Sequence, residues 1–428
     1  MTEPNTAGPS RRDFIREATA AAVGTAAVAR FHGLVGAHAA GTDEIRVGLV
    51  GCGGRGSGAA GNVLAAAPGV RIVALADAFQ DRLTACRERL AQQHPDTATV
   101  AQDHCFVGLD AYQQLLKTDV NYVILATPPG FRATHIAASI AAGKNTFAEK
   151  PVAVDAAGVR SCIALADEVG KRGIAMGAGT QYRHFDPYIQ SMKRIHDGAI
   201  GQLTGARAYY NTGELWKKDR QEGWSDLENQ MRNWLYYTWL SGDHIVEQFI
   251  HNIDALNWAF NGHPLRATGT GGRQVRTAPE FGHIYDHFAI VYEYDNDAFA
   301  TAMCRQQNGC EKKVANEFTG TKGTAYVLPD YSIKGATTWK YDAPEPNDMY
   351  VQEHTDLIAS IRAGKPLNEL KQVAESSLTA IMGRMTAYSG KTITWDEALN
   401  SPESLMPATL TWGPMPTPPV AMPGLSTD

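Results

Sequence analysis

The stretch that decides the fold is residues 45–58, which read IRVGLVGCGGRGSG. An apolar run that ends in closely spaced glycines, ahead of an alanine-rich segment, predicts a buried strand, a tight turn and the start of a helix. The glycines match the spacing G-x-G-x-x-G at Gly51, Gly53 and Gly56. One permits the turn, one lets a pyrophosphate approach the backbone, and one brings the helix close to the strand. The free N–H groups of such a helix start bind anions.

A second apolar run, residues 70–76, ends in Asp77, about 20 residues after the last glycine of the motif. An acid at this distance accepts hydrogen bonds from the adenosine ribose of a dinucleotide and repels a 2′-phosphate. The two runs together predict a Rossmann domain that binds NAD. Arg82 leaves NADP as the less favoured alternative. A glycine-rich turn followed by an incidental surface acid, with no cofactor site, is the other alternative. The expected cofactor contacts here are Gly51, Gly53, Gly54, Arg55, Gly56, Asp77 and Arg82.

Composition bounds the class of protein. The 428 residues are enough for two domains, and 44% hydrophobic with 20% charged residues is ordinary for a globular chain. A net charge of −6 gives no electrostatic reason to expect a nucleic acid or an anionic membrane as partner, so a small molecule is expected. The six cysteines show no C-x-x-C pair and no zinc-type spacing, so we expect no metal and mostly buried free thiols. A bridge between Cys304 and Cys310 is the alternative.

Residues 1–39 resemble a twin-arginine export signal. Arg11 and Arg12 precede a weakly apolar, alanine-rich run over residues 18–29, and residues 37–39 supply small residues at A-x-A spacing. The run is short and lacks bulky residues, which favours a cleaved peptide over a permanent membrane anchor. We therefore expect an exported, periplasmic protein with no membrane span in its mature form. A disordered alanine-rich tail is the alternative.

Residues 45–150 alternate apolar runs with helical stretches, which predicts βαβ units and a parallel sheet. Ligands of such sheets lie beyond the carboxyl ends of the strands, so Ala126, Thr127 and Pro128, after the strand at 122–125, should border the cofactor. His135 follows on the next helix and is kept as a cofactor candidate, although a packed or surface histidine explains it more simply. A further short strand delivers Glu149 and Lys150 to the same edge.

These features, in this order, resemble the glucose-fructose oxidoreductase, inositol dehydrogenase and MocA (Gfo/Idh/MocA) family. The resemblance rests on the glycine-rich turn, Asp77, Thr127-Pro128 and Glu149-Lys150-Pro151. It implies that Lys150 lies between nicotinamide and substrate and that Glu149 belongs to the cofactor site. It also implies that the loop carrying Gln181, Tyr182 and Arg183 touches both nicotinamide and sugar, with a solvated linker as the alternative for Arg183.

Beyond residue 200 the period changes. Strands are predicted over residues 203–211, 265–276, 286–294, 298–305, 314–319 and 323–328. The fold class is therefore α/β, with an N-terminal doubly wound Rossmann sheet and a C-terminal α/β domain built on a mostly antiparallel open sheet. Helices over residues 355–363 and 373–388 should pack back on the first domain. We expect a signal at 1–39, the Rossmann domain at 40–180 and, at 181–428, a domain for substrate binding and homo-oligomerisation as a dimer or tetramer.

Residues 243–260 read as one amphipathic helix with a polar stripe of His244, Glu247, His251 and Asp254. An acid four residues before an imidazole can orient the ring and raise its pKa. We interpret His251 as the general acid/base for an alcohol proton, with Lys150 polarising the reacting oxygen. Glu247 stands where the family has Asp, which makes its role less defined. A solvated helix face is the alternative.

Aromatic residues crowd residues 209–239, and Tyr236, Trp239 and Tyr285 are predicted to reach a sugar, although a core or an interface explains them equally well. The predicted substrate contacts are Lys150, Tyr182, Arg183, Tyr236, Trp239, His251 and Tyr285. The favoured function is hydride transfer between NAD and a secondary alcohol of a sugar, glycoside or polyol, with a bound, internally recycled cofactor. A redox-neutral NAD-dependent glycosidase is the second hypothesis, and a non-catalytic NAD-binding sensor is the third.

Overall fold

The apolar run at the head of the glycine-rich stretch is the central strand of a parallel sheet. A computed structural model describes residues 44–425, so the predicted export signal at 1–39 lies outside the described residues. The strands are β1 (Ile45–Val50), β2 (Val70–Asp77), β3 (Cys105–Val107), β4 (Tyr122–Leu125), β5 (Asn145–Ala148) and β6 (Met176–Ala178). Their order is β3-β2-β1-β4-β5-β6, with every pair parallel. This is the doubly wound order of a dinucleotide-binding sheet, as predicted.

Helices connect these strands and cover the sheet. They are α1 (Gly54–Ala66), α2 (Gln80–Gln93), α3 (Ala111–Leu116), α4 (Arg132–Ala141) and α5 (Ala156–Arg172). Asp155 caps α5 by accepting a hydrogen bond from the backbone N–H of Gly158, and the left-handed Gly173 ends it. In contrast, α1 begins with no side-chain cap and no acidic residue in its first turn. The N-terminus of α1 therefore keeps its free N–H groups and positive dipole end.

A second sheet of nine strands follows in the chain. Its strands are β7 (Leu203–Thr212), β8 (Arg266–Gly272), β9 (His287–Glu293), β10 (Phe299–Gln306), β11 (Lys313–Gly320), β12 (Gly323–Leu328), β13 (Ser332–Gly335), β14 (Trp339–Lys340) and β15 (Ile393–Thr394). The order is β14-β13-β12-β11-β7-β10-β9-β8-β15, and only the β7–β10 pair is parallel. The mostly antiparallel sheet is confirmed.

One strand boundary was predicted wrongly. β8 ends at Gly272 rather than running on to residue 276. The backbone N–H groups of Gln274, Val275 and Arg276 all donate to one carboxylate oxygen of Asp286, at 2.7 to 3.1 Å. A buried carboxylate that collects three successive N–H groups bends the chain into a loop, and hydropathy does not reveal such a turn.

The remaining helices follow the first sheet in the chain. They are α6 (Asp186–His196), α7 (Asp226–Arg232), α8 (Thr238–Ser241), α9 (His244–Glu247), α10 (Ile250–Phe260), α11 (Met349–Arg362), α12 (Leu370–Ser389) and α13 (Trp395–Leu399). α11 packs on α1, and α12 packs on α5 and β8, so the predicted return of the C-terminal helices to the first domain is confirmed. One large hydrophobic cluster contains residues of both sheets.

Three further findings concern residues 44–425 as a whole. No helix among them is long and apolar enough to cross a bilayer. No group of three or more His, Cys, Asp or Glu side chains in this range is arranged to hold a metal ion. All six cysteines are free thiols, and Cys304 is buried while Cys310 is exposed, so the alternative of a bridge between them is not realised.

Candidate functional site

Two glycines of the turn are fixed by close contacts. Gly51 has φ +97°, and a Cβ there would lie 2.7 Å from the backbone of Ala126. A Cβ on Gly56 would lie 1.8 Å from the carbonyl oxygen of Gly51, so only glycine lets α1 pack this close to β1. Gly53 and Gly54 differ, because a Cβ on Gly54 would meet nothing within 4 Å and one on Gly53 only the end of Arg82, at 3.9 Å. The space over these two glycines is where a ligand can approach the backbone.

A cavity of about 470 Å³ covers this turn and the uncapped N-terminus of α1. Its size and its location beyond the carboxyl ends of β1, β2 and β4 fit a dinucleotide, since phosphate binds to free N–H groups at a helix start. Most of the predicted cofactor residues line it: Gly51, Gly53, Gly54, Arg55, Gly56, Asp77, Arg82, Ala126, Thr127, Pro128 and His135. Glu149, Lys150 and Gln181 are not among its lining residues.

Asp77 lines the cavity and also hydrogen-bonds to the backbone around it. One carboxylate oxygen accepts from the backbone N–H of Cys52 at 2.7 Å, and the other accepts from the N–H of Phe79 at 2.9 Å. The first bond ties β2 to the glycine-rich turn. Burial raises the pKa of Asp77, while these two bonds and Arg82 act in the opposite direction.

His135 is a packed histidine in the cavity wall. Its Nδ1 lies 3.2 Å from the hydroxyl of Thr127, and its ring stacks on Phe131 with centroids 5.9 Å apart. Burial and the neighbouring Arg132 lower the pKa of His135 to about 3, so its ring is neutral at physiological pH. It shapes the wall of the cavity and brings no charge to it.

Arg55 is held by two carboxylates rather than left free for a phosphate. Its guanidinium pairs with Glu149 and, at 3.2 Å, with Glu353, and it lies over the ring of Tyr350 at 4.8 Å. Burial and the adjacent Glu149 raise the pKa of Glu353 well above its usual value. Glu353 and Tyr350 lie on α11, and the sequence analysis missed them because it began that helix at residue 355.

Lys150 crosses from the first sheet to the second half of the chain. Its Nζ donates to the backbone carbonyl of Glu247 at 2.5 Å and lies 3.4 Å from the Oε1 of that residue. The other carboxylate oxygen, Oε2, is buried and has no hydrogen-bond partner. Lys150 and Glu247, which are 97 positions apart in the sequence, are therefore brought together by the fold.

The predicted helix over residues 243–260 is interrupted. α9 ends at Glu247 and α10 begins at Ile250, and the N–H of Phe249 bonds back to the carbonyl of His244 at 3.1 Å, five residues earlier. In an unbroken helix the carbonyl of Glu247 would accept from the N–H of residue 251. Here it accepts from the Nζ of Lys150. The expectation of a single continuous stripe is therefore wrong.

His251 lies at the start of α10, beside this lysine. Its Nδ1 is buried and has no hydrogen-bond partner, and its ring centroid is 5.5 Å from that of Tyr182. The pKa of His251 is held well below its usual value, mainly because the ring is buried and also because Lys150 and Arg55 carry positive charge. The expectation that Glu247 raises this pKa is therefore wrong, because the carboxylate faces the lysine instead.

The loop after β6 divides between the site and the core. Tyr182 faces His251 and stacks on Tyr188 with centroids 4.5 Å apart. Gln181 is buried in the turn that precedes it. Arg183 is engaged within the protein, because its guanidinium forks onto Asp254 at 2.8 and 3.0 Å and packs over the ring of Trp258. Arg183 and Asp254 form a structural pair, which corrects the predicted substrate contact of Arg183.

The three aromatic residues expected at a sugar lie in the core. Tyr236 is buried with its hydroxyl at 3.0 Å from the carbonyl of Trp216, and Trp239 donates its Nε1–H to Gln230 at 2.7 Å. The hydroxyl of Tyr285 donates to the carbonyl of Ala421. All three side chains are buried and their polar atoms are already bonded within the protein, so we assign them to packing instead of substrate binding.

Sequence reasoning missed one wall of the cavity. Opposite the glycine-rich turn it is lined by Trp216, Lys218, Met231 and Trp234, which come from the segment between β7 and α8. The crowding of aromatic residues there was noticed, but its members near the cofactor were not separated from those in the core. Trp216 is 46% exposed, which is unusual for a tryptophan and marks the rim.

Known proteins are similar to this chain in sequence and in fold. Inositol 2-dehydrogenase of Rhizobium meliloti is 26% identical over 322 residues, which is 74% of this chain and 86% of that protein. A glycosyl hydrolase family 109 protein of Solibacter usitatus is 28% identical over 212 residues, covering 47% of this chain and 46% of the relative. For several of the curated relatives, including that one, the match spans only about half of their length.

The structure of an aldose-aldose oxidoreductase from Caulobacter crescentus complexed with glycerol superposes with a TM-score of 0.65 at 17% identity, covering 82% of this chain and 99% of that one. Residues 45–177 match the model of an oxidoreductase family with an NAD-binding Rossmann fold, and residues 188–326 match the GFO/IDH/MocA C-terminal domain. Because the two matches together cover more than half of the sequence, the chain belongs to the Gfo/Idh/MocA oxidoreductase family.

Proposed function

We propose that this protein is an NAD-dependent oxidoreductase that moves hydride between the nicotinamide and a secondary alcohol of a sugar, glycoside or polyol. The observation that carries the proposal is the hydrogen bond from Lys150, at the end of the cofactor-binding sheet, to the carbonyl of Glu247, four residues before His251 on the second half of the chain. A polar cluster at the junction of the two halves, close to a cofactor-sized cavity, suits a reaction between a cofactor and a small polar substrate.

His251 is the proposed general base. Its low pKa keeps the imidazole neutral at physiological pH, and its buried Nδ1 has no bond within the protein, so it is free to accept the proton of a substrate hydroxyl. The ammonium of Lys150 would donate a hydrogen bond to the same oxygen and stabilise the negative charge that develops there. When bound, the nicotinamide takes up the hydride from the carbon and returns it in the reverse direction.

Glu247 is the third member of the proposed site. One carboxylate oxygen faces Lys150, and the other is buried without a partner. A buried acceptor without a donor is costly, and a hydroxyl of a bound polyol would supply the missing hydrogen bond. This supports Glu247 as a substrate contact that also orients Lys150. It also gives a role to the glutamate that stands where the family has aspartate.

We further propose NAD rather than NADP, held through the catalytic cycle. Asp77 lines the cavity at the end of β2, where a carboxylate disfavours a 2′-phosphate. Export by a twin-arginine signal at residues 1–39 would place the protein where soluble cofactor is not expected. A cofactor carried inside the folded protein would then have to be regenerated in each cycle, either by a second sugar or by the same one.

A redox-neutral glycosidase is the second candidate, and the similarity to a glycosyl hydrolase family 109 protein favours it. In such a cycle a hydroxyl of the glycoside is oxidised to a ketone, the aglycone leaves after removal of the acidified neighbouring proton, water adds, and the ketone is reduced. Tyr182, whose ring lies 5.5 Å from that of His251, is a candidate for that extra proton transfer. The intact Glu149-Lys150-Pro151 sequence favours the oxidoreductase.

Self-association through the second sheet is also a proposal. β9 and β10 alternate buried and exposed residues, and Val291, Phe299 and Met303 are 39%, 50% and 42% exposed. A face of this kind on a nine-stranded sheet suits a symmetric contact with a second copy. Light scattering of the purified protein tests it, and a monomer at micromolar concentration would refute it.

The central experiment has two steps. The purified protein is denatured and the supernatant is assayed for NAD and NADH, and affinity for added NAD is measured in parallel. The protein is then incubated with a panel of sugars, polyols and aryl glycosides. A keto product supports the oxidoreductase, and release of aglycone without net NADH supports the glycosidase. Neither bound cofactor nor affinity for NAD would refute both.

A further inference from the structure

The roof of the cofactor cavity is built outside the Rossmann sheet. Trp216, Lys218, Met231 and Trp234 line the cavity that Asp77 and the glycine-rich turn line from below. Trp216 and Lys218 are exposed at the rim, Met231 is buried, and the rings of Trp216 and Trp234 lie edge to face with centroids 6.3 Å apart. Exposed tryptophan at the mouth of a cavity is costly unless something covers it.

We propose that residues 215–234 form a clamp over the adenosine half of the dinucleotide, with Trp216 and Lys218 as its cofactor contacts. This inference rests on the proposed function, since it names the residues that retain the NAD. The adenosine half is the one concerned because the clamp is anchored beside Asp77, which marks the ribose position. The flat apolar face of Trp216 suits an adenine ring, and the ammonium of Lys218 suits the negatively charged cofactor.

An ion pair anchors the clamp on the chain that follows Asp77. The guanidinium of Arg232 forks onto the carboxylate of Asp81 at 2.9 and 3.1 Å and lies over the ring of Phe79 at 4.1 Å. Asp81 and Phe79 belong to the start of α2, two to four residues beyond Asp77. The clamp therefore cannot lift away from the adenosine side without breaking a bidentate pair and a cation–π contact.

The clamp also has a core of its own. A hydrophobic cluster separate from the other two contains Phe79 and the apolar side of α7, together with Tyr236 and Trp239. The hydroxyl of Tyr236 lies at 3.1 and 3.0 Å from the carbonyls of Leu215 and Trp216 and fixes the rim. Tyr236 and Trp239, which were predicted to reach the sugar, thus support the roof of the cavity instead.

The C-terminal segment, residues 402–425, straps the clamp down. The ring of Trp412 in this segment packs against Phe79, with centroids 5.7 Å apart. The carbonyl of Gly413 accepts a hydrogen bond from the N–H of Leu227 on α7. The carbonyl of Met415 accepts from the side chain of Gln230 at 2.9 Å. These bonds connect the end of the chain to the roof of the cavity, so release of the cofactor requires the strap and the clamp to move together.

Two cations near the roof have no carboxylate partner among the described residues, although Arg82 lies over the ring of Phe79 at 5.3 Å. Within residues 44–425, neither Arg82 nor Lys218 forms an ion pair, and both line the cavity near the adenosine end. Arg232, in contrast, is occupied by Asp81 and Glu228. A pair of unpaired cations contributed by separate parts of the chain will attract an anionic cofactor and slow its release.

The test uses the full chain loaded with NAD. Release is followed after a chase with excess fluorescent etheno-NAD, and the affinities for ADP-ribose and for nicotinamide mononucleotide are measured by calorimetry. Trp216→Ala and Lys218→Ala should each release NAD about tenfold faster or more and bind ADP-ribose correspondingly more weakly, because stacking and charge are lost. Affinity for nicotinamide mononucleotide should stay at the wild-type value.

Trp412→Ala tests the strap, and Trp339→Ala is its matched control. Trp339 packs on Arg194 at the far edge of the second sheet and touches neither the clamp nor the cavity. Trp412→Ala should speed release, and Trp339→Ala should not. Wild-type release rates in all clamp variants would overturn the clamp while leaving NAD binding intact. A wild-type protein that does not bind NAD at all would instead overturn the proposed function.

Discussion

Replacing His251 by alanine is the most informative single change, since the proposed role of His251 is chemical and its structural contribution is small. Loss of a general base lowers kcat/KM by about 10²–10⁴-fold. At about 1.4 kcal/mol for each factor of ten, this corresponds to roughly 3–5.5 kcal/mol of transition-state stabilisation. Retention of NAD should not change, because His251 is absent from the residues that line the cofactor cavity.

The structure also sets the cost in stability. The Nδ1 of His251 has no partner, so its removal leaves no donor or acceptor stranded, and the free energy of unfolding should fall by about 1 kcal/mol or less. His244→Ala is the matched control. That imidazole is buried, bonds to Asp243 at 2.9 Å and packs on Phe288, so its loss should cost about 2–3 kcal/mol.

The two variants should therefore separate activity from stability. Urea denaturation gives the free energy of unfolding, NAD content is measured after desalting, and kcat/KM is measured on whichever substrate of the panel is turned over. The reasoning would be refuted if His251→Ala kept wild-type kcat/KM. It would equally be refuted if the activity disappeared only together with the bound NAD, since His251 would then support the fold or the cofactor.

Three further outcomes follow from the same structure. Burial and two cations lower the pKa of His251, whose usual value is about 6.5, so the acidic limb of the kcat/KM profile should have its midpoint below pH 6.5. A midpoint above that pH would contradict the assignment of the base. Asp254→Asn leaves the guanidinium of Arg183 without its bidentate partner, so urea melts should show a loss of about 3–5 kcal/mol with NAD content unchanged. Gly56→Ala should lose stability and NAD binding, because its Cβ has no space. Gly54→Ala should fold with wild-type stability, because the structure has no atom within 4 Å of its Cβ. Equal free energies of unfolding for the two variants would disprove the packing argument.

Local signals predicted what depends on neighbours in the sequence. The spacing of Gly51 and Gly56 indicates a strand, a turn and a helix that pack closely together, and the residues in contact are only a few positions apart in the sequence. The position of Asp77 follows from the length of one βαβ unit. The order and direction of the first sheet follow from the same rule, and for that reason the cofactor side of the site could be located before any coordinates.

Long-range contacts were beyond the reach of the sequence. Nothing near Arg183 indicates that its partner is Asp254, 71 positions away, and an arginine in a loop between domains looked free for substrate. The roof residue Trp216 and the buried Tyr236 look alike in the sequence, yet one lies at the rim of the cavity and the other in a core. A high density of aromatic residues in the sequence indicates that their apolar surface will be buried. Only the fold determines whether protein or ligand buries it.

The interruption between α9 and α10 shows why the electrostatics of His251 were predicted with the wrong sign. Helical periodicity placed Glu247 beside the imidazole, which would have raised its pKa. The break instead frees the carbonyl of Glu247, and Lys150 reaches it from the other sheet at 2.5 Å. The positive charge thus arrives next to His251 through a main-chain acceptor, which any residue at position 247 would supply. Burial is the larger cause of the low pKa of His251, and the charge of Lys150 adds to it, so the imidazole is neutral at physiological pH and is in the form that can accept a proton.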